Sequence, residues 1–243
     1  MKSIFSQCRI RLKLIMSFAT LVMPCILTAG FLGIMYSMAP GKICSSFLLS
    51  AFFLYFVCLF ISMTLQAREN DVFEEVLLLH SRRAADYYLT RELMMMGITL
   101  VFTIILTLYP IFVSITWPTF FTRAMEPADV AFGGMMILVH GICGMAVGDL
   151  FHPRIFGSRR TSIVLAVLLS LLAVCKIGLI QTLPRLGMLE ILVPPLMDGF
   201  RLLGNGDAFD GGGIFLILLH FLLYSIVLVL IKIRLLTGRK FRN

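Results

Sequence analysis

The tetrad Gly204–Asp207, Gly-Asn-Gly-Asp, ends on an aspartate framed by glycines, and one further acid beside it would make a carboxylate pair able to share a proton and activate water. That second acid would have to be Asp149 or Asp198. Asn205, Asp207 and Asp210 also bring oxygen-bearing side chains together, but a calcium loop needs a fuller ligand spacing and a central glycine that are absent here. His140 and His220 stand in two separate apolar runs and could face one cavity as polar liners of a path. Two histidines with no carboxylate at the same depth do not make a metal site. Cys8, Cys25, Cys44, Cys58, Cys143 and Cys175 are scattered without a CxxC, as small apolar fillers would be. The densest charge lies in "RENDVFEEVLLLHSRRAADYYLTRE", residues 68–92, where Glu69, Asp71, Glu74, Glu75, Asp86 and Glu92 gather almost half of the 13 acids.

The elements that must position these groups are set by composition. The chain has 243 residues, 59% hydrophobic and 14% charged, where a soluble domain carries about a quarter charged residues. Apolar runs of roughly 18 residues or more make helices that cross ~30 Å of hydrocarbon, because lipid offers no partner to an open backbone group. The expectation is an all-α integral membrane protein with six spans, at about 15–38, 44–65, 92–116, 129–150, 161–180 and 212–233. No ~10-residue alternating segments of a membrane barrel are seen. The first span follows a basic start without a small-residue cleavage site and reads as a retained anchor.

Most of the 21 Lys and Arg fall on one side of this layout, before the first span, between the second and third, after the fourth and after the sixth. Lys42, Arg123, Arg185 and Arg201 fall on the other, so both termini are expected in the cytoplasm. The net charge of +8 is dispersed through short loops with no basic aromatic face, which argues against a nucleic-acid partner. On this topology Gly204–Asp207 lies outside the membrane, ahead of a run of glycines, and reads as a turn in place of half an intramembrane aspartyl protease.

Residues 66–91 become a cytoplasmic loop containing a helix. Asp71 and Glu74 are spaced as a capping pair, and Arg82 and Arg83 sit where the helix dipole favours cations. Val72, Phe73, Val76, Leu77 and Leu79 fall on one arc, Glu74 and Glu75 on the other, with Leu78 on the wrong face. A helix resting on the inner leaflet would carry Lys and Arg on its polar side, since each gains ~1 kcal/mol there. Carboxylates in that position favour docking into another protein.

With these features the chain resembles the type-2 ATP-binding-cassette (ABC) export permeases. The likeness rests on the six-span layout, the basic entry segment, the charged loop at residues 68–92, "GICGMAVGDLFHPRIFGSRR" after the fourth span and "LEILVPPLMDGF" between the last two. The resemblance implies that Asp71–Leu79, with His80, Arg82 and Arg83, is the coupling helix seated in an ATPase subunit. It also implies that the permease works as a dimer, with a second copy or a relative, carrying two ATPase subunits. The chain has no P-loop of its own; "PGKI" at Pro40–Ile43 lacks the first glycine and the hydroxyl residue. No cofactor is expected on this chain, and ATP and Mg belong to the partner.

Residues 181–211 form an outer loop in which "MLEILVPPLMDGF" is too short to cross, so it reads as a re-entrant or interfacial segment broken at Pro194 and Pro195. Lys176 is close enough to the outer surface to snorkel. Gly144 and Gly148 form a GxxxG that serves either packing within the chain or a dimer face. Asp149, His152 and Arg154 could form a gate-like polar cluster at the cytoplasmic end of the fourth span. The expectation is a bacterial cytoplasmic-membrane exporter subunit, without enzymatic activity of its own, for an amphipathic peptide or lipid-like substrate. The alternatives are the protease and a non-transporting sensor or scaffold.

Overall fold

The computed structural model describes residues 18–69, 71–79, 81, 84–183, 185, 187–201, 207–209 and 211–238. A π-helical turn, Phe18–Val22, leads into α1 (Met23–Met35). Then follow α2 (Ile43–Arg68), the short α3 (Asp71–Leu79), α4 (Ala84–Thr116) and α5 (Pro127–Leu150). The chain continues through a single turn, α6 (Pro153–Phe156), the long α7 (Arg159–Thr182), two four-residue turns, α8 (Leu189–Leu192) and α9 (Asp198–Arg201), and ends in α10 (Gly211–Thr237). Among the described residues the only β pairing is one bridge, Gly41 to Phe121.

Five helices are long and apolar enough to span a membrane: α2, α4 from Asp86, α5, α7 and α10. The protein is therefore a multi-pass helical membrane protein. The first expected span, 15–38, contains an apolar helix over Thr20–Met35; at ~1.5 Å per residue this described stretch covers about 24 Å of the ~30 Å of hydrocarbon. Residues 15–17 lie outside the described residues. The expected third span, 92–116, belongs to a longer helix. Its helix starts at Ala84, and α2 runs on to Arg68, which shrinks the expected loop of residues 66–91. A hydropathy boundary stops at charge, whereas a helical backbone continues through charged residues when their side chains find partners.

At the centre α2 lies along α5, and these two helices are the most enclosed; α4 and α10 pack on the flanks of α5. The α2–α5 approach depends on glycine. A Cβ on Gly144 would stand 2.1 Å from the Tyr55 carbonyl oxygen, and one on Gly148 would stand 2.9 Å from Cβ of Ser62. The GxxxG spacing thus serves packing within the chain. Around this pair, α7 and α10 turn apolar side chains outward, Val164, Leu168 and Leu171 on one and Phe215, Leu222 and Leu230 on the other. Such a surface is stable against lipid tails and would be unfavourable in water. Pro110 lies inside α4 without ending it, as membrane helices tolerate.

The two ends are fastened by different means. At the end away from α3, Asp207 accepts the Ile43 and Cys44 amides at 2.6 and 2.9 Å, so α2, whose preceding Lys42 makes no side-chain cap, is capped from across the chain. Arg123 grips Asp129 with two bonds of 2.6 and 2.7 Å and donates to the Asp207 carbonyl at 2.6 Å. The α8–α9 segment packs back onto the bundle, with Gly199 against Leu48 and Met136.

Candidate functional site

At the α3 end, Asp149 closes α5 with its side chain wholly buried. Its Oδ1 accepts from Ser62, from Arg91 at 2.9 Å and from Gln66 at 3.4 Å, and its Oδ2 accepts from Lys232 at 2.6 Å. Gln66 is held by a second bond of 2.8 Å to the Gly148 carbonyl. The small Gly148 lets α2 approach closely enough for Ser62 and Gln66 to reach the aspartate. Arg91 continues to Glu69 at 3.2 Å, and Lys232 continues to Glu92. Among the described residues, five ionisable groups from α2's end, α4, α5 and α10 are thereby joined in one network, each with a side chain no more than 6% exposed.

Buried charges are tolerated only when paired and hydrogen-bonded. Here one carboxylate serves two cations, and each cation reaches back to a second carboxylate. Losing Asp149 takes a carboxylate from both cations at once, and losing either cation takes a partner from two carboxylates.

A second group ties α3 to this network. Arg154 donates to Glu74 at 2.6 Å and to the Tyr88 hydroxyl at 3.3 Å, while Tyr88 donates to Glu74 at 3.1 Å. Leu77 packs with Tyr87, Tyr88 and Leu236, and Leu78 lies against the same cluster. Burial pushes the Glu74 carboxyl above its ordinary value, with Arg154 and Tyr88 offsetting part of that rise. His152 caps the α6 turn by accepting the Arg154 amide on Nδ1 at 3.2 Å. Burial, reinforced by the positive charges of Arg91 and Lys232, depresses His152 to about 3. It is thus a neutral acceptor, since a protonated imidazole has no lone pair to offer.

The expected arrangement of α3 is revised. Glu74 is buried and faces the bundle, while Val76 and Leu79 are exposed. The presented face is therefore Glu75, Val76 and Leu79, and Leu77 and Leu78 face inward. The simple helical arc failed because the Arg154 guanidinium offers Glu74 a better partner than water, turning the helix about its axis. Asp71, Val72 and Phe73 are helical in backbone, but their side chains lie outside the described residues, as do His80, Arg82 and Arg83.

The other expected residues fall as follows. Asp149 belongs to the charge cluster, His152 lies beside it as a neutral acceptor, and Arg154 pairs with Glu74. His140 is fully buried, with Nδ1 at 2.8 Å from the Met136 carbonyl and Nε2 at 3.3 Å from that of Leu196, under the Phe221 ring at 4.2 Å. Because Phe221 faces His140, His220 is turned about 100° away on the same helix, and among the described residues no hydrogen bond or ring contact joins the two histidines. Pro194 and Pro195 are buried at the break between α8 and α9, and the next residue, Leu196, reaches His140. The segment thus packs against the middle of α5. Lys176 is correspondingly not a snorkelling residue: it is wholly buried and bonded to Asp198 of α9 at 2.8 Å. Among the described residues no cluster of His, Cys, Asp or Glu is arranged to hold a metal.

Sequence reasoning missed Glu69, Arg91, Glu92 and Lys232 as site residues because it assigned each to a loop or a span end. The available signal was helical spacing: Arg91 and Glu92 are adjacent, and Ser62, Gln66 and Glu69 recur at three- and four-residue intervals on one face of α2 and its end. Compared with protein-family models, with curated proteins and with solved structures, the chain finds no significant match.

Proposed function

We propose that this chain is the membrane-spanning subunit of an ATP-driven ABC exporter, working with a second copy or a close relative and with two copies of a separate P-loop ATPase that carry ATP and Mg. The observation that supports the reading best is the connection of α3. The short helix offers Glu75, Val76 and Leu79 to a partner on one side, and on the other is tied through Glu74, Arg154 and Tyr88 to the shared charge cluster of the spans. Displacement of α3 by an ATPase closing on nucleotide would strain Glu74–Arg154 first. The strain would pass to α4 through Tyr88 and to the end of α5 through the Arg154 segment. Two arrangements of the spans interconvert under such a load when the nucleotide-bound partner binds one better than the other.

The substrate class is an amphipathic peptide or lipid-like molecule, and the membrane is the cytoplasmic membrane of a bacterium. The apolar spans support this choice, because they carry few fixed charges with which to select a charged hydrophile. Reconstituted in liposomes with its ATPase, the protein should move such a substrate only when nucleotide is hydrolysed. Binding of the ATPase without any nucleotide-dependent movement would replace this reading with a scaffold or sensor. The exposed face of α3 is tested by Glu75→Lys, which should abolish copurification of the ATPase with the folded permease. Undiminished copurification would remove this face as the docking surface. Glu74 is unsuitable for that test because its loss also breaks the Arg154 pair.

A further inference from the structure

The α8–α9 segment carries the pattern of a bound ligand. Val193, Pro194, Pro195 and Leu196 are buried, and Asp198 follows two positions later, so an apolar stretch ends in a carboxylate. Among the described residues, three side chains bond to it from outside, each from a different helix. Tyr224 of α10 donates to the Leu192 carbonyl at 3.0 Å, His140 of α5 faces the Leu196 carbonyl at 3.3 Å, and Lys176 of α7 donates to Asp198 at 2.8 Å. The segment's own backbone bonds are local, Leu196 to Pro194, Asp198 to Pro195 and Phe200 to Met197, and the two prolines offer no N–H to the helices around them.

This hold is incomplete. A carboxylate has about four lone-pair sites, yet Asp198 bonds only through Oδ2, and its buried Oδ1 has no hydrogen-bond partner. Lys176 is in the opposite position. It is a wholly buried cation, and the other buried residues of α7 are the uncharged Ser162, Ala166, Ser170 and Ala173. A cation so placed requires an anion, but nothing requires that the anion belong to this chain.

We propose that Lys176, together with His140, forms a binding site for an apolar ligand ending in a carboxylate, a peptide C-terminus or a fatty acid, and that Asp198 with the apolar residues before it occupies this site as a built-in competitor. The ligand's carboxylate takes the place of Asp198 on Lys176, and its apolar part takes the place of Val193 and Leu196 beside His140 and Phe221. The exchange leaves Lys176 paired, whereas an amphiphile without a carboxylate leaves it alone. The assignment stands apart from the exporter reading, since a sensor would bind the same ligand.

Photolabelling of the purified full-length protein in phosphatidylcholine nanodiscs tests the proposal without ATPase or nucleotide. Two probes serve, a photoreactive fatty acid and a photoreactive apolar tetrapeptide with a free C-terminus, each beside a form whose carboxylate is blocked as the methyl ester or the amide. The acid form should label α5, α7 or the α8–α9 segment, and the blocked form should bind about tenfold more weakly, the loss of one charge-assisted bond. Asp198→Asn removes the competitor and should raise labelling by the acid form. Lys176→Met should abolish the preference for it. If a single variant does not accumulate, Lys176→Met with Asp198→Asn, which leaves neither charge unpaired, should show no preference. Labelling by one probe alone names the source of the carboxylate, and labelling by both assigns the site to the carboxylate end itself. Equal labelling by the acid and blocked forms of both probes, no gain in Asp198→Asn, or a preference that survives in Lys176→Met or in the double variant overturns the assignment.

Discussion

At the α3 end a single carboxylate, Asp149, draws Ser62, Gln66, Arg91 and Lys232 onto itself from three helices, whereas at the opposite end charges are fastened one pair at a time. There Arg123 holds Asp129 six positions along the chain, and Lys176 holds Asp198. Arg123 is 28% exposed and Asp129 also accepts a backbone amide, so that pair keeps some solvation and a local partner, whereas the wholly buried Lys176 depends on Asp198. Independent pairs of this kind can be lost singly. A shared buried network fails as a unit, because every member compensates another. The contrast suggests a division of labour in which pairs at the α8–α9 end open singly while the α3 end carries the coupled change.

The contrast breaks if the two ends respond alike to substitution. Asp149→Ala removes the carboxylate that two buried cations share and should cost about 3–5 kcal/mol, seen as failure to accumulate or a large fall in the unfolding temperature in detergent. Next in size, Gly144→Ala forces a methyl against the Tyr55 carbonyl and should cost about 1–3 kcal/mol by overpacking. Equal stability would mean that α2 and α5 separate without penalty.

A double-mutant cycle sharpens the comparison directly. Asp149→Asn with Lys232→Met should show a coupling of about 0.5–3 kcal/mol, while Asp149→Asn with Asp129→Asn should add within about 0.5 kcal/mol. Strong coupling between the two ends would erase the distinction drawn here.

A smaller effect comes from His152. Its folded pKa, about 3, lies below the ordinary 6.5, so the unfolded chain binds more protons between these values and stability falls as the pH drops through that window. His152→Gln should remove this part of the acid sensitivity in thermal melts; an unchanged profile would assign it to other groups. Smallest for the fold, Glu75→Lys on the exposed face of α3 should change stability by no more than about 0.5 kcal/mol, so any loss of ATPase binding by that variant reports on docking alone.

Much of the fold was readable along the chain. Long apolar runs mark α2, α4, α5, α7 and α10, since a backbone in lipid must bond to itself, and the double proline marks the break between α8 and α9. The site was less readable. Asp149 was visible as an acid at the end of a span, but Arg91 and Lys232 looked like the loop cations that bias topology. Their role depends on partners 58 and 83 positions away, and no local pattern encodes a pairing at that distance. The same holds for Asp207, whose glycine setting suggested a turn or a catalytic acid; its part in capping α2 spans 164 positions.

Local chemistry along the chain was enough to specify a multi-pass helical protein, with a short acidic helix between two of its spans, because hydropathy and helical period act over neighbouring residues. Folding in three dimensions decided which face of α3 is presented, that Gly144 and Gly148 bring α2 onto α5, and that charges from four helices meet at Asp149. Those outcomes turn on competition among distant side chains for a few buried partners, a competition resolved only once the helices have packed.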